Sequence, residues 1–444
     1  MLMFEIKGKY TTAKVMIDDV EPTCTAQIYG FVNHPAFTNP IAIMPDTHAG
    51  KGSVIGFTMP MTSKVIANVV GVDISCGMLA INIGQNLPIA LEQLDHKIRQ
   101  AIPFGFNTHD NSVINIEKEF PFKEVRGLAH NFSLAYNQQF GTNTYFDGYD
   151  YHWFVQKCHD IGADLGRVIK SLGSLGGGNH FIEVGIDDNK NYWVVIHTGS
   201  RNFGKCVCEY WQGMASSVVR KDKQEQLKLR IEEIRKTYTG MEIKTKIKEA
   251  RADLGLDVTV SDELQYLEGE NAHGYLYDMI FAQKYAQVNR AYIASVIMNI
   301  LGIQAIDRIE TVHNFIDFRD FIIRKGAIRS YINERMIIPF NMRDGILVCE
   351  GNSNADWNYS APHGAGRLMS RAQAKKNIKL ENFTEQMKGI YSTSVCQGTL
   401  DEAPDAYKDS KVIEQAIEPT AKILFKIKPI LNMKDSGETH YNKD

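Results

Sequence analysis

The sequence predicts an α+β fold, built as one interwoven unit around a central cleft. Three observations carry that expectation. Short apolar runs bounded by turn residues recur at strand length, and two stretches carry helical character. Residues able to hold a cation are spread from position 73 to position 363 instead of sitting in one segment. No internal repeat and no low-complexity linker divides the 444 residues, so one domain over 1–444 is expected, although the length exceeds the usual single-domain size.

In chain order, Ile41-Ala42-Ile43-Met44 reads as a short buried strand that Pro45 breaks, followed by a loop from Asp46 to Ser53. The apolar run Val65 to Val72 leads into a turn holding Asp73 and Cys76, and Met78 to Ile83 is the strand that leaves it. Tyr192 to Ile196 is a strand ending at His197. Lys221 to Ala250 is dense in mixed charge, with Leu227, Ile231 and Ile234 at helical spacing and Gly240 as a break. That pattern predicts an exposed helical hairpin at about 221–250 with a solvated face. Glu270 to Leu301 sets Tyr277, Ile280, Phe281, Tyr285 and Val288 on one side of a long core helix. Arg308 to Val312 is a strand delivering His313, and Ala372 to Lys376 is helix-like. Near the end, Ala421, Ile423, Phe425 and Ile427 alternate with lysines, a closing strand that delivers Lys434.

Composition narrows the class. Apolar content of 44% and charged content of 23% are those of a globular protein, and no apolar run approaches the ~18 residues that span a bilayer. Glu5 falls where a signal peptide would keep its apolar core, so the expected location is the cytoplasm. Seven scattered cysteines, an odd number without framework spacing, point to reduced thiols. Cys206 and Cys208 are too close for an ordinary metal pair and fit a helix start better. With a net charge of −3, any nucleic-acid partner must be held by local basic clusters.

The residues with chemistry begin at Gly71-Val72-Asp73-Ile74-Ser75-Cys76-Gly77. A hard carboxylate and a soft thiolate three residues apart have little structural use unless a cation lies between them. A thiolate can bridge two metals, and the aspartate can hold one of them. His180, His197 and His313 each end or follow an apolar strand-like run and could complete the site. The turn Gly173-Ser174-Leu175-Gly176-Gly177-Gly178-Asn179-His180 has two readings: a tight turn with a capping Asn, or a backbone cradle with Asn179 donating to phosphate and His180 on a metal. A lone strand-end histidine such as His197 is more often structural, but Thr198, Ser200 and Arg201 set phosphate donors beside it. His313-Asn314 repeats the theme. In Ser360-Ala361-Pro362-His363-Gly364-Ala365-Gly366-Arg367, small residues leave the imidazole uncrowded, and Arg367 and Arg371 are placed to hold a phosphate. A neutral imidazole there is a competent nucleophile toward phosphorus; a further metal ligand or a plain capping turn are the competing readings. Together these residues point to metal-assisted phosphoryl or nucleotidyl transfer.

Several of these segments, in order, resemble the RtcB family of RNA-splicing ligases. They are Met44 to Gly52, Gly71 to Gly77, Gly178 to Glu183, His197 to Arg201, His363 to Arg367 and Asp401 to Lys408, a match running from about residue 40 to Lys434. The resemblance implies a single RtcB-like domain that joins RNA 3′-phosphate or 2′,3′-cyclic phosphate ends to 5′-hydroxyl ends with GTP and two Mn2+ ions, in RNA repair or tRNA splicing. It implies that Cys76 bridges both metals, with Asp73 and His180 on one and His197 and His313 on the other. His363 would take GMP as a phosphoramidate and pass it to the RNA 3′-phosphate. Asn179, His180, Phe181, Ile182, Glu183, His313, Asn314, Asn341, Met342, the His363-Gly364-Ala365-Gly366 turn and Lys434 would contact the guanine nucleotide. Lys51, Arg201 and Arg367, with Arg371 and Lys375, are the cations nearest these motifs for an RNA phosphate.

One segment departs from the family. Where it usually has a Gly-Ser-Met-Gly loop with a later serine, this chain has Pro339-Phe340-Asn341-Met342-Arg343-Asp344-Gly345-Ile346, which marks a divergent subgroup and bears on nucleotide use. Two alternatives therefore stand beside the ligase: a metal-dependent phosphohydrolase or cyclic-phosphate-opening enzyme, and a non-catalytic RNA-end-binding protein. The natural RNA, the resident metal and any need for an archease-type activator stay open.

Overall fold

The structure, a computed structural model, describes residues 3–239, 241–254 and 262–437. Its strands are β1 (Phe4–Lys7), β2 (Thr12–Val15), β3 (Ile41–His48), β4 (Ile55–Pro60), β5 (Gly77–Gly84), β6 (Phe181–Ile186), β7 (Tyr192–Thr198), β8 (Asp307–Val312), β9 (Phe315–Asp317), β10 (Ile322–Lys325), β11 (Ala327–Arg329), β12 (Arg335–Pro339), β13 (Ile346–Gly351), β14 (Ser360–Pro362) and β15 (Ala421–Met433). They form a six-stranded sheet in the order β1-β2-β3-β4-β10-β9, a seven-stranded sheet in the order β12-β13-β15-β6-β7-β5-β8, and the pair β11-β14. The α+β expectation holds, with strands distant in sequence made neighbours in both large sheets.

The helix Gly269–Leu301 joins the two halves. Tyr275, Ile280, Phe281 and Tyr285 pack in the core beside the six-stranded sheet, whereas Ile293, Ile297 and Leu301 pack under the seven-stranded one. Tyr277, Ile280, Phe281 and Tyr285 are buried as their spacing predicts, and Val288 is partly buried. Such a helix, apolar on nearly every side through its middle, is what two cores sharing one element require.

The structure departs from the sequence expectations in four places. Pro45 does not break its strand: β3 runs on to His48, and its register against β4 shifts between Ile43 and His48. A strand tolerates a proline where the ladder is already interrupted, since no donor is missed there. Within Val65 to Val72, Ala67–Val70 forms a helical turn. The charged segment belongs to two helices, Arg201–Thr237 and Met241–Asp253, so the first arm begins twenty residues before Lys221 and contains Cys206 and Cys208; Gly240 lies outside the described residues. In the closing strand Ile423 stays 39% exposed, so the alternation is incomplete, although β15 does run to Met433 and delivers Lys434.

Candidate functional site

Sheet order explains how side chains so far apart in sequence converge. In the run β6-β7-β5-β8 every neighbour is antiparallel, so β6 and β5 begin at the edge where β7 and β8 end. His180 immediately precedes β6, His197 lies opposite Phe181 near the end of β7, Cys76 precedes β5, and His313 follows β8. His180 therefore leads into a strand; it does not follow one. The Asp73–Cys76 turn is tied to the end of β8 by His313 N–H donating to Cys76 O at 2.8 Å and Ser75 N–H to Asn314 O at 2.9 Å.

The result is two triads, Asp73–Cys76–His180 and Cys76–His197–His313, each with its candidate ligand atoms within 4.8 Å of one another. Cys76 Sγ lies 3.3 Å from His180 Nε2 and 3.2 Å from His197 Nε2, and His197 Nε2 lies 3.3 Å from His313 Nε2. Burial, then the neighbouring imidazoles, holds His197 and His313 well below the ordinary histidine range, so they are neutral. Burial, then the Asp73 carboxylate, pushes the Cys76 thiol well up. His180 Nδ1 donates to Leu175 O at 2.9 Å, which leaves its Nε2 as an acceptor 2.9 Å from Asp73 Oδ2. Acceptors facing acceptors in a buried site fit cations between them, and a bound cation would draw Cys76 to its thiolate. The donor set thus fits two ions sharing one sulfur.

His363 stands beside this centre, its ring 4.7 Å from that of His313 between centroids. Asp46 fixes it: Oδ2 accepts from His363 Nδ1 at 2.7 Å and from its backbone N–H at 3.2 Å. With the proton on Nδ1, the Nε2 lone pair is free. A side chain at Gly366, whose φ is +74°, would run into Asp46 O, so the turn after His363 packs against β3 only as glycine.

A cavity of about 280 Å³ opens over His363 and both triads. Of the nucleotide contacts expected from sequence, Asn179, Phe181, Glu183, His313, Asn314, Asn341, Met342, His363 to Gly366 and Lys434 line it. His180 sits beneath as a triad member. Ile182 does not belong to the cavity: β6 alternates its faces, and Ile182 is buried with Met433 in the core on the other side. Glu183 lies opposite Asn432 of β15 and accepts from its Nδ2 at 2.7 Å, while Glu183 Oε1 and Asn432 Oδ1 have no partner. Burial pushes the Glu183 carboxyl up to about 8.

The far wall is a charge cluster. Glu402 Oε2 lies 2.9 Å from Lys434 Nζ, and its Oε1 lies 2.7 Å from Arg371 and 3.4 Å from Arg367. Burial works against its charge, but Lys434, Arg371, Arg367 and the Tyr407 hydroxyl outweigh that and hold it at about 2. Arg367 and Arg371 do line the cavity, though Glu402 shares the charge of both and the Asp401 carboxylate that of Arg371. Arg201 points away: its guanidinium donates to Gly105 O and Ser174 Oγ and braces the Gly-rich turn. Lys51 is also outside the cavity lining, its carbonyl held by Lys325 Nζ at 2.6 Å, and Lys375 pairs with Asp401 at 3.5 Å.

The departing loop joins β12 to β13. Phe340 is buried, and Asn341 spends its polar atoms on the loop itself, donating to Asp344 and accepting from the N–H groups of Arg343 and Asp344. Arg343 pairs with Asp344 at 2.7 Å and does not line the cavity. The loop gives the cavity an apolar wall. Sequence reasoning gave no role to Asp46, His48, Glu402, Tyr407, Lys408 or Asn432. Asp46 and the 401–408 residues fell in quoted segments, yet the side-chain partners of Asp46 and Lys408 lie more than 300 positions away and the cations on Glu402 lie 31 to 35 positions away.

Residues 27–435 match the family model described as tRNA-splicing ligase RtcB. The chain is 27% identical to the RNA-splicing ligase RtcB of Escherichia coli (strain K12), covering 94% of this chain and 95% of that one. It is 25% identical to the RNA-splicing ligase RtcB homolog 1 of Entamoeba histolytica, over 93% of this chain and 83% of the relative. Identity to the tRNA-splicing ligase RtcB of Methanococcus maripaludis is 25%, over 91% and 89%. No helix among the described residues is long and apolar enough to cross a membrane.

Proposed function

Because this chain belongs to the tRNA-splicing ligase RtcB family, we propose that it seals broken RNA, joining a 3′-phosphate or 2′,3′-cyclic phosphate end to a 5′-hydroxyl end with GTP and two manganese ions. The observation that carries this reading is the Asp46–His363 pair standing beside two triads that share Cys76, all under one cavity. Asp73, Cys76 and His180 would hold one ion, and Cys76, His197 and His313 the other. When bound, the ions would neutralise phosphate oxygens and stabilise the charge developing in each displacement. Mixed thiolate, imidazole and carboxylate donors suit manganese and would hold zinc or cobalt more tightly. The unpaired state of all seven cysteines supports a cytoplasmic setting.

His363 Nε2 attacks the α-phosphorus of GTP; a P–N bond forms as the bond to pyrophosphate breaks. Asp46, hydrogen-bonded to Nδ1–H, stabilises the positive charge that grows on the ring. An oxygen of the RNA 3′-phosphate then attacks the same phosphorus and the electron pair returns to Nε2. Finally the 5′-hydroxyl, losing its proton, attacks the RNA phosphorus and GMP departs. A cyclic phosphate end is first opened by water. The unpartnered oxygens Glu183 Oε1 and Asn432 Oδ1 suit the N–H edge of a guanine, which would draw Glu183 to its charged form, while Lys434, held by Glu402 and the carbonyls of Asn179 and His180, lines the same cavity.

Incubation with GTP and manganese followed by intact-mass measurement tests the reading. Wild type gains one GMP, His363→Ala gains none, and wild type joins RNA with a 3′-phosphate. Metal-dependent phosphate release without an adduct would favour the phosphohydrolase instead. RNA-end binding with neither activity would leave a binding protein.

A further inference from the structure

Phe106 is 89% exposed, the most exposed large apolar side chain among the described residues. Its loop is nonetheless fixed. Gly105 N–H donates to Gly176 O at 3.0 Å, Leu175 N–H to Pro103 O at 2.9 Å, and Asn107 N–H closes a turn on Phe104 O at 3.2 Å. Arg201 Nη2 holds Gly105 O at 3.0 Å, and Arg167 Nη2 holds Phe106 O at 2.9 Å. Two arginines thus grip the two peptides that flank the Phe106 α-carbon, and the ring is left in solvent.

The loop is packed against the rim of the cavity. A side chain at Gly105 or Gly177 would meet the Asp435 carboxylate, one residue beyond Lys434, and one at Gly178 would touch the Arg371 guanidinium. Asn179 and His180 follow directly and belong to the site. Phe106 therefore sits beside the Gly-rich turn whose end reaches the candidate metal centre, with the exposed cations Arg167 and Lys170 nearby in the fold. No other large exposed apolar residue lies on this loop or on residues 173–180, so neither segment adds to Phe106 the further apolar area that a protein partner buries.

We propose that Phe106 is a stacking platform for an unpaired base of the RNA strand whose end enters the cavity. This rests on the RNA-sealing reading. A rigidly presented aromatic face flanked by cations is how proteins hold single-stranded RNA without reading its sequence, since every base has a π-face and every linkage a negative charge. Backbone fixation matters because the platform loses little freedom when the base arrives. The occupant is a base near the end, held outside the cavity while the terminal phosphate lies within.

The test compares wild type, Phe106→Ala and Phe106→Trp with a short single-stranded RNA carrying a 3′-phosphate. Three quantities are measured: GMP adduct formation without RNA, RNA affinity by fluorescence anisotropy, and the RNA concentration dependence of sealing. Phe106→Ala is expected to form the adduct at the wild-type rate, to weaken RNA binding and raise the RNA KM by roughly 5- to 150-fold, and to keep kcat. Phe106→Trp should restore binding. RNAs with a single abasic nucleotide, moved stepwise from the 3′ end, should lose affinity for wild type at one position and show no such loss with Phe106→Ala. Unchanged RNA affinity in Phe106→Ala overturns the platform, as does a loss that Trp fails to restore or that extends to adduct formation. The anisotropy arm stands without catalysis: if wild type binds RNA through Phe106 but never takes GMP, the sealing reading fails and the platform survives. If wild type binds no RNA, both fail.

Discussion

Lys408 brackets Asp46. Its Nζ donates to the carbonyl of Pro45 and to that of Thr47, each at 3.0 Å, and its backbone N–H donates to Gly366 O at 3.0 Å. These carbonyls lie where the pairing of β3 with β4 shifts register, so the strand ladder does not fix them. One residue thereby fastens the segment carrying Asp46, through its side chain, to the turn carrying His363, through its backbone. Asp46 is fully buried, its Oδ1 has no partner and its Oδ2 is held by His363, so Lys408 and His363 together set its position.

Lys408→Met keeps bulk and removes the donor. It is expected to slow GMP transfer to His363 by roughly 10- to 100-fold, as when a group that aims a reactive residue is lost. Metal content and the GTP concentration for half-maximal rate should not change. Lys408 is only half-buried, so propylammonium chloride should rescue Lys408→Ala in a saturable way while tetramethylammonium should not. A Met variant as fast as wild type would show that the bracket is not needed.

Asp46→Asn leaves the fold but offers His363 an amide in place of an anion. The loss in adduct formation should be larger, roughly 100-fold or more, because the growing imidazolium charge is no longer stabilised. Stopped-flow or quench measurement of the adduct decides it; a loss under tenfold would mean that Asp46 only holds the turn.

Cys76→Ala should remove both ions, because both triads share that sulfur, whereas His197→Ala should spare the Asp73–Cys76–His180 triad and keep part of the metal. Elemental analysis of the purified variants reads the count directly. Two ions retained in Cys76→Ala would end the bridging assignment.

How much of this was legible beforehand follows from the reach of each interaction. The triad residues could be named because each flanks an apolar strand run, and because a thiolate three residues from a carboxylate has few other uses. Ile182 could not be separated from Phe181 and Glu183 until β6 was seen to have one face on the cavity and one on the core. Arg201 and Lys51 have the right charge for phosphate, but whether a cation faces a cleft or a neighbouring carbonyl depends on contacts such as Gly105 O, about a hundred positions away. The side chains of Asp46 and Lys408 act on partners more than 300 residues distant, and the cations gathered on Glu402 lie 31 to 35 residues from it, couplings that periodicity and spacing do not encode.

The Glu402 cluster gives a pH prediction. The folded carboxyl sits at about 2 against an ordinary 4.5, so its contribution is present above pH 4.5 and is lost as pH falls toward 2. The difference corresponds to about 3 kcal/mol. Urea denaturation of wild type and Glu402→Gln from pH 7 to pH 2.5 should show the variant less stable at neutrality and the gap closing below about pH 4.5. A gap that is constant with pH would mean the carboxylate charge is not what stabilises this wall.

The last prediction separates nucleotide use from sealing. His363→Ala removes the atom proposed to bond to phosphorus and leaves Asp73, Cys76, His180, His197 and His313 in place. It should bind metal normally, form no GMP adduct, and fail on RNA with a 3′-phosphate. It should still seal RNA whose 3′ end already carries the GMP-activated diphosphate, since that substrate bypasses the histidine. The loop from Phe340 to Asp344 should act earlier, because it walls the cavity beside the proposed nucleotide contacts with buried Phe340 and Met342 and keeps the polar atoms of Asn341 for itself. If wild type never acquires GMP but seals pre-activated ends, that apolar wall has cost it GTP while the metal centre still works. If it seals neither substrate, the ligase reading falls, and phosphate release or RNA-end binding becomes the activity to measure.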